Sequence, residues 1–143
     1  APVMVRQGGG SIVNLTTVEV HRGIPGHTVY SAYKSAVLAF TRSLAVELGN
    51  HGVRVNAVAP DMADTLQTPA AMMLRDRDEA DLPRWIPLGR LGHPSDYADV
   101  IAFLASDDSR FVTGQSIAVD GGTLAAGGWY RTKGRRGWSV FPD

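Results

Sequence analysis

The order in which apolar runs alternate along this chain constrains its fold more than any other feature. Residues 11–15 and 53–59 are short, apolar and rich in β-branched side chains, and between them residues 29–48 form a long amphipathic stretch of alanine and leucine closed by Gly49-Asn50. A strand, a helix and a second strand in that order predict a parallel pair joined by a right-handed crossover. Pro60 ends the second strand, since proline donates nothing to a ladder. Residues 66–85 form a longer, irregular, charged connection. Pro94 then opens another helix to about Ala105, and residues 115–119 read as a last strand before Gly121-Gly122. At the other end, residues 1–7 read as the end of a helix and Gly8-Gly-Gly10 as its terminator. A glycine loop that cradles phosphate follows a strand and opens a helix, whereas this one precedes a strand.

The expected fold class is therefore α/β. Three parallel strands make a poor independent sheet, because the outer strands need neighbours and both faces need helices. The chain is expected to be the C-terminal part of a doubly wound parallel sheet, its N-terminal dinucleotide-binding half absent. With 143 residues and 44% apolar content it is the size of one domain and can bury a core. Formal charge is zero and the basic residues are dispersed apart from Arg131 to Arg136, so no nucleic-acid partner is expected. The absence of cysteine excludes disulfides and thiolate metal sites. The longest apolar run, residues 100–105, is too short to cross a bilayer, and residues 1–6 lack a signal-peptide pattern. A cytoplasmic location without membrane contact is the default expectation.

Within residues 29–48, Tyr30 and Lys34 stand four apart, which on a helix places a phenol and an ammonium on one face. A free tyrosine has a pKa of ~10, and at an effective dielectric of ~20 a cation ~4 Å away favours the phenolate by about 4 kcal/mol at most. Such a pair suits proton transfer. It equally describes a half-buried aromatic beside a solvated charge. Lysine is scarce, however, with Lys34 and Lys133 set against twelve arginines.

Several motifs agree in order and spacing with one family. They are Ile12-Val-Asn-Leu-Thr-Thr17, Tyr30-Ser-Ala-Tyr-Lys34, Arg54-Val-Asn-Ala-Val-Ala-Pro60 with Thr65, Leu88-Gly-Arg-Leu-Gly-His-Pro94, and Val112-Thr-Gly-Gln through Val119-Asp-Gly-Gly122. Together they resemble the C-terminal half of a short-chain dehydrogenase/reductase, a single-domain Rossmann-fold oxidoreductase using NAD or NADP. Residues 1–122 carry the likeness and residues 123–143 form a tail outside it. The resemblance implies interconversion of a secondary alcohol and a ketone, with Tyr30 as general acid/base, Lys34 lowering its pKa and holding the nicotinamide ribose, and Thr17 bonding the substrate oxygen. The family usually has serine there, and threonine keeps the hydroxyl while stiffening χ1. Pro60, Asp61, Ala63 and Thr65 fall in the family's Pro-Gly-x-x-x-Thr cofactor loop, Ala63 where a backbone amide faces the carboxamide. Asp61 replaces the glycine, either as a turn or N-cap residue or as a carboxylate near the cofactor; aspartate tolerates positive φ better than most residues. The family's glycine-rich loop, cofactor-selecting residue and relay asparagine would lie upstream. An alternative is a non-catalytic or truncated fragment that needs a partner chain to complete the fold.

By the same resemblance residues 61–86 form the substrate loop, whose Met62, Leu66, Met72, Met73, Leu74, Leu82 and Trp85 suit either an apolar substrate or ordinary packing. His21 and His27 have no acidic companion at metal-site spacing, so no metal is expected and they border the substrate mouth instead. Small residues Ala32, Ser35, Ala36, Ala39 and Ser43 permit close helix approach, and the family likeness implies a dimer or tetramer of identical chains. Two tryptophans, a tyrosine and a phenylalanine in the tail favour packing on a neighbouring subunit or over the pocket.

Overall fold

A computed structural model describes residues 1–133 and 137–141. Helix α1 (Pro2–Gln7) ends on Gly8 at φ 79°, where the Gly8 and Gly9 amides donate back to Val5 O and Met4 O at 3.2 and 3.0 Å. Only a residue without a Cβ takes that left-handed turn cheaply, so the triple glycine is a helix terminator. The chain then runs through β1 (Gly10–Leu15), α2 (Thr28–Leu48) and β2 (Val53–Pro60). Two short helices, α3 (Ala70–Leu74) and α4 (Leu82–Trp85), precede α5 (Pro94–Ala105), β3 (Ser116–Val119) and α6 (Thr123–Ala126).

The sheet is parallel throughout, in the order β1-β2-β3, with Gly10 opposite Val53, Leu15 opposite Val58 and Pro60 opposite Val119. Alternation along β2 separates its two faces. Val53 and Val55 pack with Ala45 and Leu48 of α2, joined by Met4, Val5, Ile12 and Leu44. On the other face the Arg54 guanidinium donates to Leu104 O, Ser106 O and Ser109 Oγ at 2.7 to 2.9 Å, placing a cation on the last carbonyls of α5. Helices thus cover both faces, as the doubly wound expectation requires.

Two details differ from the sequence reading. Pro60 is the last residue of β2 rather than the first beyond it, and its carbonyl accepts the Thr17 hydroxyl. The tail holds a two-stranded antiparallel hairpin, β4 (Tyr130–Arg131) with β5 (Trp138–Ser139), which packs against α4. Two residues per strand are too few to leave an alternating pattern. The guanidinium of Arg131 stands over the Trp138 ring, 5.3 Å from its centre.

Candidate active site

The candidate side chains gather at the carboxyl ends of β1 and β2, the edge where open parallel sheets bind ligands. Tyr30 lies in the first turn of α2 and Lys34 one turn on. A half-buried bond ties α2 to β1. Asn14 Nδ2 donates to Thr41 Oγ1 at 2.9 Å, and Thr41 Oγ1 donates to Val37 O at 2.8 Å. Thr41 is fully buried and Asn14 half-buried, so the bond satisfies a hydroxyl that water does not reach.

Thr17 leaves β1 and caps a short 3-10 turn, accepting the Glu19 amide at 3.4 Å, while its hydroxyl donates to Pro60 O at 3.4 Å. The Thr17 hydroxyl also faces the Tyr30 phenol closely enough to lower its pKa. Lys34 Nζ donates to Leu15 O at 3.0 Å and lies 5.7 Å from the centre of the Tyr30 ring. Partial burial raises the Tyr30 pKa above its ordinary value, the Glu19 carboxylate raises it further, and the Thr17 hydrogen bond pulls it down. That direction differs from the expectation that Lys34 brings the phenol towards neutrality. The ammonium gives one donor to the strand end and is not among the groups that shift the phenol.

Sequence reasoning missed Glu19. Its side chain is 10% exposed, and His27 Nδ1 bridges both its oxygens at 2.9 and 3.0 Å. The His27 ring meets the Tyr30 ring edge-on at 5.7 Å. His27 thus lies against Tyr30, whereas His21 Nε2 is 3.5 Å from Ser116 Oγ.

The loop after β2 is braced along its length. Gly92 N donates to Met62 O at 2.9 Å and Asp64 N to Gly92 O at 2.8 Å, a parallel bridge that leaves the amide of Ala63 turned the other way. The Tyr97 hydroxyl fills the space where a Cβ on Gly92 would project, which explains the glycine. Thr68 Oγ1 donates to Ala63 O at 3.1 Å and pairs with Thr65 Oγ1 at 3.0 Å. Asp61 needs no left-handed backbone, because Arg75 alone among the described non-glycine residues has positive φ. Nor does it cap a helix. Its carboxylate pairs with Arg22 Nη2 at 2.7 Å and accepts the Thr123 hydroxyl.

Beyond the loop, Leu74, Leu82 and Ile86 form a buried cluster with Met62, Ala70, Trp85 and Leu91, while Leu66 and Met72 are exposed. Part of the predicted apolar series is therefore packing. A cavity of about 250 Å³ lies between this segment and α5, lined by Met62, Arg90, Asp96, Tyr97 and Asp120; Thr17, Tyr30 and Lys34 do not line it. No helix among the described residues is long and apolar enough to cross a membrane.

An open parallel sheet with helices on both faces, and a hydroxyl, a phenol and an ammonium at its carboxyl edge, defines a Rossmann-like α/β protein. The chain belongs to the short-chain dehydrogenase/reductase family. The family described as Enoyl-(Acyl carrier protein) reductase matches residues 1–123. The 3-oxoacyl-[acyl-carrier-protein] reductase FabG of Thermotoga maritima is 46% identical over 123 residues, 86% of this chain and 49% of that protein. The (3R)-3-hydroxyacyl-CoA dehydrogenase of Rattus norvegicus is 41% identical over 123 residues, 85% of this chain and 46% of that protein. Among solved structures, ElxO with NADP bound superposes with a TM-score of 0.77 at 32% identity, over 87% of this chain and 50% of ElxO. The chain spans about half the length of the curated relatives it matches.

Proposed function

We propose that the protein is an NAD(P)-dependent oxidoreductase interconverting a secondary alcohol and a ketone, with Tyr30 as general acid/base. The convergence of Thr17, Tyr30 and Lys34 on the end of β1, beside the loop of Pro60, Asp61, Ala63 and Thr65, carries this reading. The relatives' names support it, one an oxoacyl reductase and the other a hydroxyacyl dehydrogenase. NADP in ElxO supports the cofactor.

The residues present fit the nicotinamide end of that cofactor. Lys34 uses one of its three donors on Leu15 and keeps two, and the Ala63 amide is turned away from its bridge. When bound, the nicotinamide supplies the carbon that exchanges hydride with substrate. The Thr17 hydroxyl orients the substrate oxygen. Tyr30 gives its proton to that oxygen as a ketone is reduced and takes it back as an alcohol is oxidised. Burial and the Glu19 carboxylate favour the protonated phenol, the form that acts as acid in ketone reduction.

Nicotinamide absorbance, followed with the native protein and a panel of 3-oxoacyl thioesters, simple ketones and secondary alcohols, tests this. Turnover of at least one ketone and alcohol pair is expected. Failure of the whole panel with both NADPH and NADH would overturn the reading.

A partner-completed fold is the second reading. β1 pairs with β2 alone among the described residues, and α2 exposes Val29, Tyr33, Ala36 and Phe40 along one stripe. The open edge of β1 is where a partner chain would complete the sheet, and the α2 stripe is, separately, the proposed contact of a homodimer or homotetramer. Light scattering checks it, and Phe40→Glu is expected to dissociate the assembly.

A further inference from the structure

We propose that Arg22, Asp61 and Thr123 form a positioning clamp that fixes the loop of residues 60–65 against the segment carrying Thr17. The proposal rests on the functional reading above and extends it to residues outside the proton-transfer set. Glycine at position 61, the family's residue, could not make these contacts.

The three residues come from three separate stretches of chain. Arg22 follows the 3-10 turn that Thr17 caps, Asp61 follows β2, and Thr123 opens α6. Arg22 Nη2 meets Asp61 Oδ2 at 2.7 Å, and the Thr123 hydroxyl also reaches Asp61 Oδ2. Thr123 is held in turn by Asp120, whose Oδ2 lies 3.2 Å from its hydroxyl and accepts the Leu124 amide at 2.7 Å. One residue before the carboxylate, Pro60 O accepts the Thr17 hydroxyl. The ion pair and the Thr17 bond thus tie the same two segments at neighbouring points.

The pair is enclosed enough to matter. The side chain of Asp61 is 9% exposed and that of Arg22 is 32% exposed. Arg22 Nε is buried with no partner among the described residues, so that nitrogen is shielded from water without gaining a hydrogen bond. A surface ion pair holds little, but a carboxylate this buried loses its only paired cation among the described residues when Arg22 goes and keeps just the Thr123 hydroxyl. Past Asp61, the bridge to Gly92 and the Thr65–Thr68 pair fix the rest of the loop. The clamp completes that bracing at the end nearest Thr17. Its effect is preorganisation: Ala63 and Thr65 are set before any ligand arrives.

Amide hydrogen exchange of residues 61–65 in the ligand-free native protein tests the clamp directly, alongside NADPH and NADH titration. In Arg22→Met, exchange there is expected to rise about tenfold or more, the scale of losing one charged hydrogen bond, and dinucleotide affinity to fall in step. Arg22→Lys retains a cation and is expected to recover part of both. Arg22→Met with Asp61→Gly is expected to exchange as fast as Arg22→Met but to melt higher, because no unpaired carboxylate remains. Thr123→Val provides a second, milder probe should Arg22→Met fold poorly. Native-like exchange across residues 61–65 in both Arg22→Met and Thr123→Val would overturn the clamp. Failure of the native protein to bind either dinucleotide would overturn the functional reading instead, leaving the exchange result to judge the clamp.

Discussion

Lys34 Nζ donates to the carbonyl of Leu15 at 3.0 Å, so the ammonium beside Tyr30 is anchored to the last residue of β1. That bond fixes the site lysine to the sheet and positions it relative to the phenol through helix α2. Lys34→Met removes both the charge and the anchor. Dinucleotide affinity is expected to fall about 10- to 100-fold, the equivalent of one hydrogen bond to a charged group. Arginine is not expected to rescue it, since a planar fork replaces a compact point charge. Equilibrium titration of both variants checks this.

Glu19 gives the site an internal control on pH. Its carboxylate is one of the groups holding the Tyr30 pKa up. Glu19→Gln removes that charge, so the phenol should ionise at lower pH than in the native protein. Tyrosinate absorbance, with Tyr30→Phe subtracted, measures the shift. Alcohol oxidation, which needs the phenolate, is expected to gain at lower pH in the same variant, while ketone reduction loses its alkaline limb earlier.

The half-buried bond from Asn14 to Thr41 is expected to matter for stability as well as placement. Asn14→Ala leaves the Thr41 hydroxyl with one fewer partner in a dry interior and should cost about 1–3 kcal/mol in urea denaturation. Turnover per folded molecule should fall too, because α2 carries Tyr30 and Lys34.

At the start of α5, Arg90 grips both oxygens of Asp96 at 2.7 and 2.9 Å, and the His93 amide donates to the same carboxylate at 2.7 Å. The Arg90 hydrogen bonds, followed by the His93 amide, hold its pKa well below the usual carboxylate range. A depressed folded-state pKa contributes stability that is present above the unfolded carboxylate value and is lost as pH falls through the folded one. Denaturation midpoints measured across the acid range should therefore decline less steeply in Asp96→Asn than in the native protein.

The parts of this molecule that are legible in the sequence are those written in neighbouring residues. β1, α2, β2, α5 and β3 announce themselves by periodicity, glycine stops and proline starts, and Tyr30 with Lys34 by a four-residue spacing. What escapes is long-range pairing. Nothing local links Arg22 to Asp61, 39 residues on, or Arg54 to Leu104, 50 residues on. Asp61 could be seen as a departure from a family pattern, yet its partner could not. A lone acidic residue such as Glu19 carries no local signal, and only the fold reveals His27 paired with it.

Replacement of Tyr30 by phenylalanine tests the central claim most directly, because it deletes one oxygen and leaves the ring, the helix and Lys34 in place. Ketone reduction by the native protein and by Tyr30→Phe should be compared at saturating dinucleotide, with dinucleotide affinity measured separately. A fall in kcat of about 10²- to 10⁴-fold with affinity unchanged is the predicted result. Turnover retained at the native rate would contradict the assignment of Tyr30 as the acid/base.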